Sequence, residues 1–167
     1  MKLTDAKYKF IQEWGVLGSN WGINRAMAQI QALLLLSPKS LTTDEIMEEL
    51  KMSRGNVNMN IRALIDWGLV FKEYKPGERK EFFYTEKDVW KITKQVAEER
   101  RKREILPVKQ MLEEIEGIEL GKSEEEKEFK KVTSEIQSFI GKMDGVLTKI
   151  ASADKNWFLK VLMRLMN

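Results

Sequence analysis

Residues 53–68 read Ser53-Arg54-Gly55-Asn56-Val57-Asn58-Met59-Asn60-Ile61-Arg62-Ala63-Leu64-Ile65-Asp66-Trp67-Gly68. Val57, Ile61, Leu64 and Ile65 fall at i, i+4, i+7 and i+8, the spacing of one face of an α-helix. Ser53 precedes that stripe as an N-cap, and Gly68 follows it where a helix end favours a positive φ. The segment predicts an amphipathic helix reaching Trp67. At about 100° per residue, burying its aliphatic side leaves Arg54, Gly55, Asn56, Asn58, Met59 and Arg62 on or beside the outer face.

Upstream, Thr42-Thr43-Asp44-Glu45 has the form of a capping box and opens a short helix carrying Ile46 and Leu50 inward. Only Lys51-Met52-Ser53 separates the two helices, and a tight joint before a helix that is polar outside predicts a helix-turn-helix. Downstream, Leu69 to Tyr74 reads as a strand, Lys75-Pro76-Gly77-Glu78-Arg79 as a turn, and Lys80 to Thr85 as the returning strand. With a few extended residues near Ser40-Leu41, the order helix, helix, helix, hairpin predicts a winged helix-turn-helix.

Helical spacing continues on both sides. Tyr8, Ile11, Trp14 or Gly15 and Leu17 predict a first helix from Thr4 to about Leu17, ending in Gly18-Ser19-Asn20. Ile23, Met27, Ile30 and Leu34 predict a second, stopping at Ser37-Pro38. Past the wing, Thr85-Glu86-Lys87-Asp88 resembles a capping box before a helix that carries Val89, Trp90, Thr93 and Val96 and runs on to Ile115, with Pro107 kinking or dividing it. Ser123-Glu124-Glu125-Glu126 then opens a long helix with an apolar stripe from Phe129 to Ile150. Trp157 to Leu165 form a last short helix. The expected fold class is mainly α (α+β): an N-terminal helix over 1–20 joining the dimerisation region, a winged helix-turn-helix over 21–88, and a helical dimerisation region over 89–167. The stripe after Phe129 exceeds what a small winged core covers, so a homodimer is expected.

Composition closes other routes. The 167 residues contain no cysteine and no histidine, which removes disulfides, zinc fingers, thiol nucleophiles, imidazole bases and serine–histidine triads. No enzyme, metal site or cofactor is expected. The apolar run Leu33–Leu36 is far below the ~20 residues needed to cross a bilayer, and Met1 to Asp5 hold no apolar leader, so a cytoplasmic protein without a membrane is expected. Five tryptophans, Trp14, Trp21, Trp67, Trp90 and Trp157, read as core aromatics at helical spacing rather than as a cage for a quaternary ammonium.

Charge is unevenly placed. From Lys51 to Lys80 there are seven cations, Lys51, Arg54, Arg62, Lys72, Lys75, Arg79 and Lys80, against Asp66, Glu73 and Glu78. From Glu104 to Glu135 ten acids face five lysines. One region attracts a polyanion and the other repels it. Arginine pairs with guanine O6 and N7, asparagine with adenine N6 and N7, and methionine lies against a thymine methyl, while Ser53 and Gly55 let a helix N-terminus approach phosphate. Solvated helix faces usually carry Glu and Lys, not this set. Arg79 at the hairpin tip suits a narrow minor groove. The candidate contacts to double-stranded DNA are Thr42, Ser53, Arg54, Gly55, Asn56, Asn58, Met59, Arg62, Lys75, Gly77, Arg79 and Lys80. The run Arg100-Arg101-Lys102-Arg103 reads as a solvated linking face. The alternative function, a protein-interaction adaptor without DNA binding, requires an acidic or apolar outer face on the helix that begins at Ser53.

Leu33-Leu34-Leu35-Leu36-Ser37-Pro38-Lys39-Ser40-Leu41-Thr42, Ser53-Arg54-Gly55-Asn56-Val57-Asn58-Met59, Leu64-Ile65-Asp66-Trp67-Gly68-Leu69-Val70 and Pro76-Gly77-Glu78-Arg79-Lys80 together resemble the GbsR branch of the MarR family of transcriptional regulators. The resemblance covers roughly Ile23 to Lys91. It implies a dimeric winged-helix repressor held together by its terminal helices, bound to a pseudopalindromic operator and released by a small-molecule effector. The name-giving members respond to choline, but no ligand motif matches outside the winged core. Thiol-based sensing, used elsewhere in the family, is excluded by the absent cysteines.

Overall fold

The structure, a computed structural model, describes residues 1–118 and 121–154. It divides between Ile92 and Thr93, within a helix, into two compact units. The final apolar segment, Trp157 to Leu165, lies outside the described residues.

In the first unit, α1 (Leu3–Asn20) is followed by α2 (Arg25–Leu36), β1 (Leu41–Thr42), α3 (Thr43–Leu50), α4 (Arg54–Asp66), β2 (Val70–Glu73) and β3 (Phe82–Thr85), with α5 (Val89–Arg100) beginning at its end. This is the expected winged helix-turn-helix. The strands form an antiparallel sheet in the order β1-β3-β2, with Leu41 opposite Phe83 and Lys72 opposite Phe83 from the other side. Ile30 and Leu34 of α2, Ile46 of α3, Val57 and Leu64 of α4 and Val70 of β2 are fully buried. The core therefore sits where α2, α3 and α4 meet the sheet.

Local chemistry sets most of the boundaries. Asn24 caps α2, accepting from the Ala26 and Met27 amides, and Thr42 with Glu45 forms the expected capping box on α3. Ser53 caps α4 by accepting from the Asn56 amide, and Gly68 takes a φ of 66° after it. At the wing, Pro76 and Gly77, with a φ of 80°, are the central residues of a turn closed by the Glu78 amide donating to the Lys75 carbonyl at 3.1 Å. That is the type II arrangement in which proline presets the first position and glycine supplies the second.

Two expectations about the first unit need correction. α1 does not stop before Gly18 but runs through it. Its buried positions are Ile11, Gly15 and Gly18, not Tyr8 and Leu17. A Cβ on Gly18 would stand 2.6 Å from the Ala28 Cβ, and one on Gly15 2.7 Å from Gln29 Cγ. These glycines are places where α1 lies against α2, and Gln12 adds hydrogen bonds from Gln29 and Arg25. Second, Thr85 does not cap α5. Asp88 does, accepting from the amides of Trp90 and Lys91, while buried Thr85 donates its hydroxyl to the Leu69 carbonyl at 2.6 Å. Lys87 turns back to the C-terminus of α2, where its ammonium donates to the carbonyls of Leu34, Leu35 and Ser37. A cation is favoured at that end of a helix.

The second unit holds the rest of α5, a π-helical turn (Arg101–Ile105), α6 (Leu106–Glu116) and α7 (Glu124–Ser152). Pro107 stands in the first turn of α6 directly after the π turn, so the chain remains helical around it. Ser123 and Glu126 form the expected capping box on α7. The Arg100–Arg103 run is not simply solvated. Arg101 pairs with Asp144 of α7 at 2.6 Å with both side chains largely covered, and Arg103 pairs with buried Glu99 at 3.0 Å. Its charge is spent inside this unit.

Gly18→Ala places a methyl against a side chain that cannot swing away, so a loss of about 1–3 kcal/mol is expected in urea unfolding. Unchanged stability would contradict the close approach of α1 and α2.

Candidate nucleic-acid interface

α4 is seated by its apolar side. Val57, Ile61 and Leu64 are at most 2% exposed, whereas Ser53, Arg54, Gly55, Met59 and Arg62 are exposed and Asn56 and Asn58 half-buried. Met59, at 60%, is a large apolar side chain left in water in the middle of a face otherwise made of Arg and Asn. Asn60 falls among the aliphatic residues and is buried. Its amide donates to the Asn56 carbonyl at 2.8 Å and the Asn56 side-chain oxygen at 2.7 Å, which satisfies it and orients Asn56. Asn58 is oriented in the same way by the Thr43 hydroxyl, at 3.4 Å.

Gly55 occupies the first turn of α4, and a Cβ built there meets nothing within 4 Å. Glycine in a helix is less favourable than alanine by about 0.8–1.0 kcal/mol. Among the described residues nothing beside it requires a glycine.

Thr42 is the one predicted contact that is buried. At 8% exposure its hydroxyl is committed to the α3 cap with Glu45, so its side chain does not belong to the outer face. The capping box that marked it in the sequence is also what turns it inward.

At the wing, Gly77, Arg79 and Lys80 are exposed. Lys75 is half-buried, its ammonium 4.2 Å from the centre of the Phe82 ring. Phe71 and Tyr84 face each other across β2 and β3 with ring centres 5.5 Å apart, a cross-strand pair that stiffens the hairpin.

Two acids that the charge count from Lys51 to Lys80 left out lie among these cations. Asp44, in the first turn of α3, takes Arg54 on one carboxylate oxygen and Lys80, at 3.4 Å, on the other. Glu81 accepts from Lys72 at 2.7 Å and from the Tyr74 hydroxyl at 3.2 Å. The hydrogen bond from Arg54, reinforced by Lys80, holds the Asp44 carboxyl below its ordinary range, and Lys72 does the same to Glu81. Both partnerships are tertiary, so spacing along the chain carries no sign of them.

A cavity of about 550 Å³ in the same unit is bordered by Lys39, Lys72, Lys75 and Lys87. Each of these already has a partner, respectively Glu45, Glu81, the Phe82 ring and the α2 carbonyls, so the cavity offers little unspent ligand chemistry.

Comparison with known proteins agrees with this geometry. Residues 21–81 match the MarR family. The chain is 32% identical over 72 residues to a protein described as the HTH-type transcriptional repressor GbsR of Bacillus subtilis (strain 168); the match covers 43% of this chain and 39% of that protein. The fold is also similar to a crystal structure described as a transcriptional regulator, with a TM-score of 0.66 at 15% identity over 87% of this chain and 95% of that one.

Gly55→Ala is expected to raise stability by about 0.5–1 kcal/mol in urea unfolding while weakening binding to duplex DNA. A variant no more stable than the parent would show that the glycine answers to the fold instead.

Proposed function

We propose that this chain, whose residues 21–81 match the MarR family, is a sequence-specific double-stranded DNA-binding transcriptional regulator of that family, acting as a dimeric repressor. The observation that carries the reading is the division of α4. Its aliphatic side is sealed in the core, and Arg54, Gly55, Met59 and Arg62 face outward beside an exposed wing.

An α-helix fits the major groove, where Arg62 and Arg54 offer the forked donors that match guanine, and Asn56 and Asn58 the paired groups that match adenine. The wing reaches the adjoining minor groove with Arg79, whose guanidinium suits the strongly negative potential of a narrow groove. Ser53, Gly55, Lys75, Gly77 and Lys80 hold the register through phosphate. An adaptor reading fits poorly, because the outer face of α4 is neither acidic nor continuously apolar.

Pairing of two chains is supported by α7. Phe129, Val132, Ile136, Phe139, Met143 and Val146 alternate at spacings of three and four residues and are all exposed, while Arg101 and Lys109 pair with Asp144 elsewhere on the same helix. Such alternation is the seam of a coiled coil, which is stable only when another helix covers it. A second copy supplies that helix and, through two-fold symmetry, a second α4 for the other half of a pseudopalindromic operator about one turn of DNA away. The segments 1–20 and 89–167 are the dimerisation elements in this reading. Release by a small-molecule effector completes the proposed cycle.

A salt titration of binding to duplex DNA should give a log–log slope of several units, and Arg62→Ala should cost about 1–3 kcal/mol and relax base preference at one position of each half-site. Affinity independent of salt, or an unchanged preference in the variant, contradicts the proposal. Phe139→Lys should shift the protein from dimer to monomer at micromolar concentration in sedimentation; an unaffected dimer would exclude this seam.

A further inference from the structure

The carboxylate of Asp44 is shared between two elements with separate roles in binding. One oxygen is held by Arg54 at the start of the helix proposed to enter the major groove, the other by Lys80 at the base of the wing. All three side chains remain about half exposed, at 48%, 59% and 62% for Asp44, Arg54 and Lys80. A surface of this kind gains from each cation it presents to phosphate. Asp44 opposes that, since it ties up two of them and adds a negative charge at the place a phosphate would come.

Its energetic role follows from magnitudes. Exposed ion pairs contribute little to folding, and a carboxylate in the first turn of α3 adds only modestly to that through the helix dipole. A unit charge about 4 Å from a phosphate in water-like surroundings changes affinity about fivefold, equivalent to about 1 kcal/mol. Arginine has five N–H donors. A guanidinium held by Asp44 along one edge can still offer another edge to a guanine. Docking on phosphate alone meets the repulsion of the Asp44 charge with no base contact in return, and makes no use of the orientation that Asp44 gives to Arg54.

We infer that Asp44 is a specificity-determining residue, the internal counter-ion of Arg54 and Lys80, which penalises binding to DNA through phosphate alone more than binding to a site where Arg54 meets a base edge. The inference rests on the DNA-binding reading given above. Asp44 thereby widens the gap between the operator and the bulk of duplex DNA.

The test uses the full chain, a duplex of about 30 base pairs that the parent protein enriches from a random pool, and an unselected duplex of the same length, with Glu49→Gln on the same helix as the control for net charge. Asp44→Asn is expected to bind the unselected duplex about fivefold tighter than the parent, with a steeper dependence on salt. The gain on the selected duplex should be smaller, so that selectivity falls. Asp44→Ser, which removes the same charge, should act in the same direction. The inference is overturned if Asp44→Asn behaves as Glu49→Gln does, if it binds more weakly than the parent, or if selectivity is unchanged. A parent protein that enriches no duplex overturns the DNA-binding reading itself, a different and recognisable failure.

Discussion

The burial of Val57, Ile61 and Leu64 against α2, α3 and the start of the sheet is the constraint on which the rest of the winged helix depends. Each such side chain contributes about 1.5–3 kcal/mol when fully buried, whereas the exposed pairs around Asp44 and Glu81, screened by solvent, contribute little. The rotation of α4 about its own axis is therefore decided by its aliphatic side, and its polar residues face water because nothing else is left to them. The ion pairs adapt to that orientation. This makes the outer face available for a ligand without weakening the core.

The same hierarchy explains what could be read in advance. Caps and turns use partners a few residues away, so Ser53 before α4, the Thr42–Glu45 and Ser123–Glu126 boxes, Gly68 and the Pro76-Gly77 turn were all legible, and the winged order followed from them. The inner stripe of α4 was legible for the same reason, and with it the exposure of Arg54, Met59 and Arg62. What escaped depends on distant partners. Gly18 reads as a turn signal until Ala28 of the neighbouring helix occupies the space beside it. Thr85 reads as a cap until the Leu69 carbonyl across the sheet claims its hydroxyl. The spacing assigns Asn60 to neither face, and its burial depends on Asn56 satisfying its side-chain amide.

Electrostatic reading was the least local of all. A count of charge from Lys51 to Lys80 finds a surplus of cations, but Asp44 and Glu81 lie just outside that window and inside the surface it describes. The basic run Arg100–Arg103 shows the complementary effect. As sequence it suggests a solvated linking face, yet Glu99, Glu104 and Asp144 take up its charge within the second unit. Charges are significant to a partner only after their internal counter-ions have been identified. On α7 the apolar pattern carries the opposite lesson, since its exposed seam stays without a covering helix among the described residues.

The most direct measurement is the change in backbone amide resonances as a short duplex is titrated into isotope-labelled protein. The account predicts that the resonances of Gly55, Met59, Arg62, Gly77 and Arg79 move first and furthest, with Val146 and Phe139 on α7 unchanged. Movement concentrated on α7 or α1, with the α4 resonances still, would contradict it.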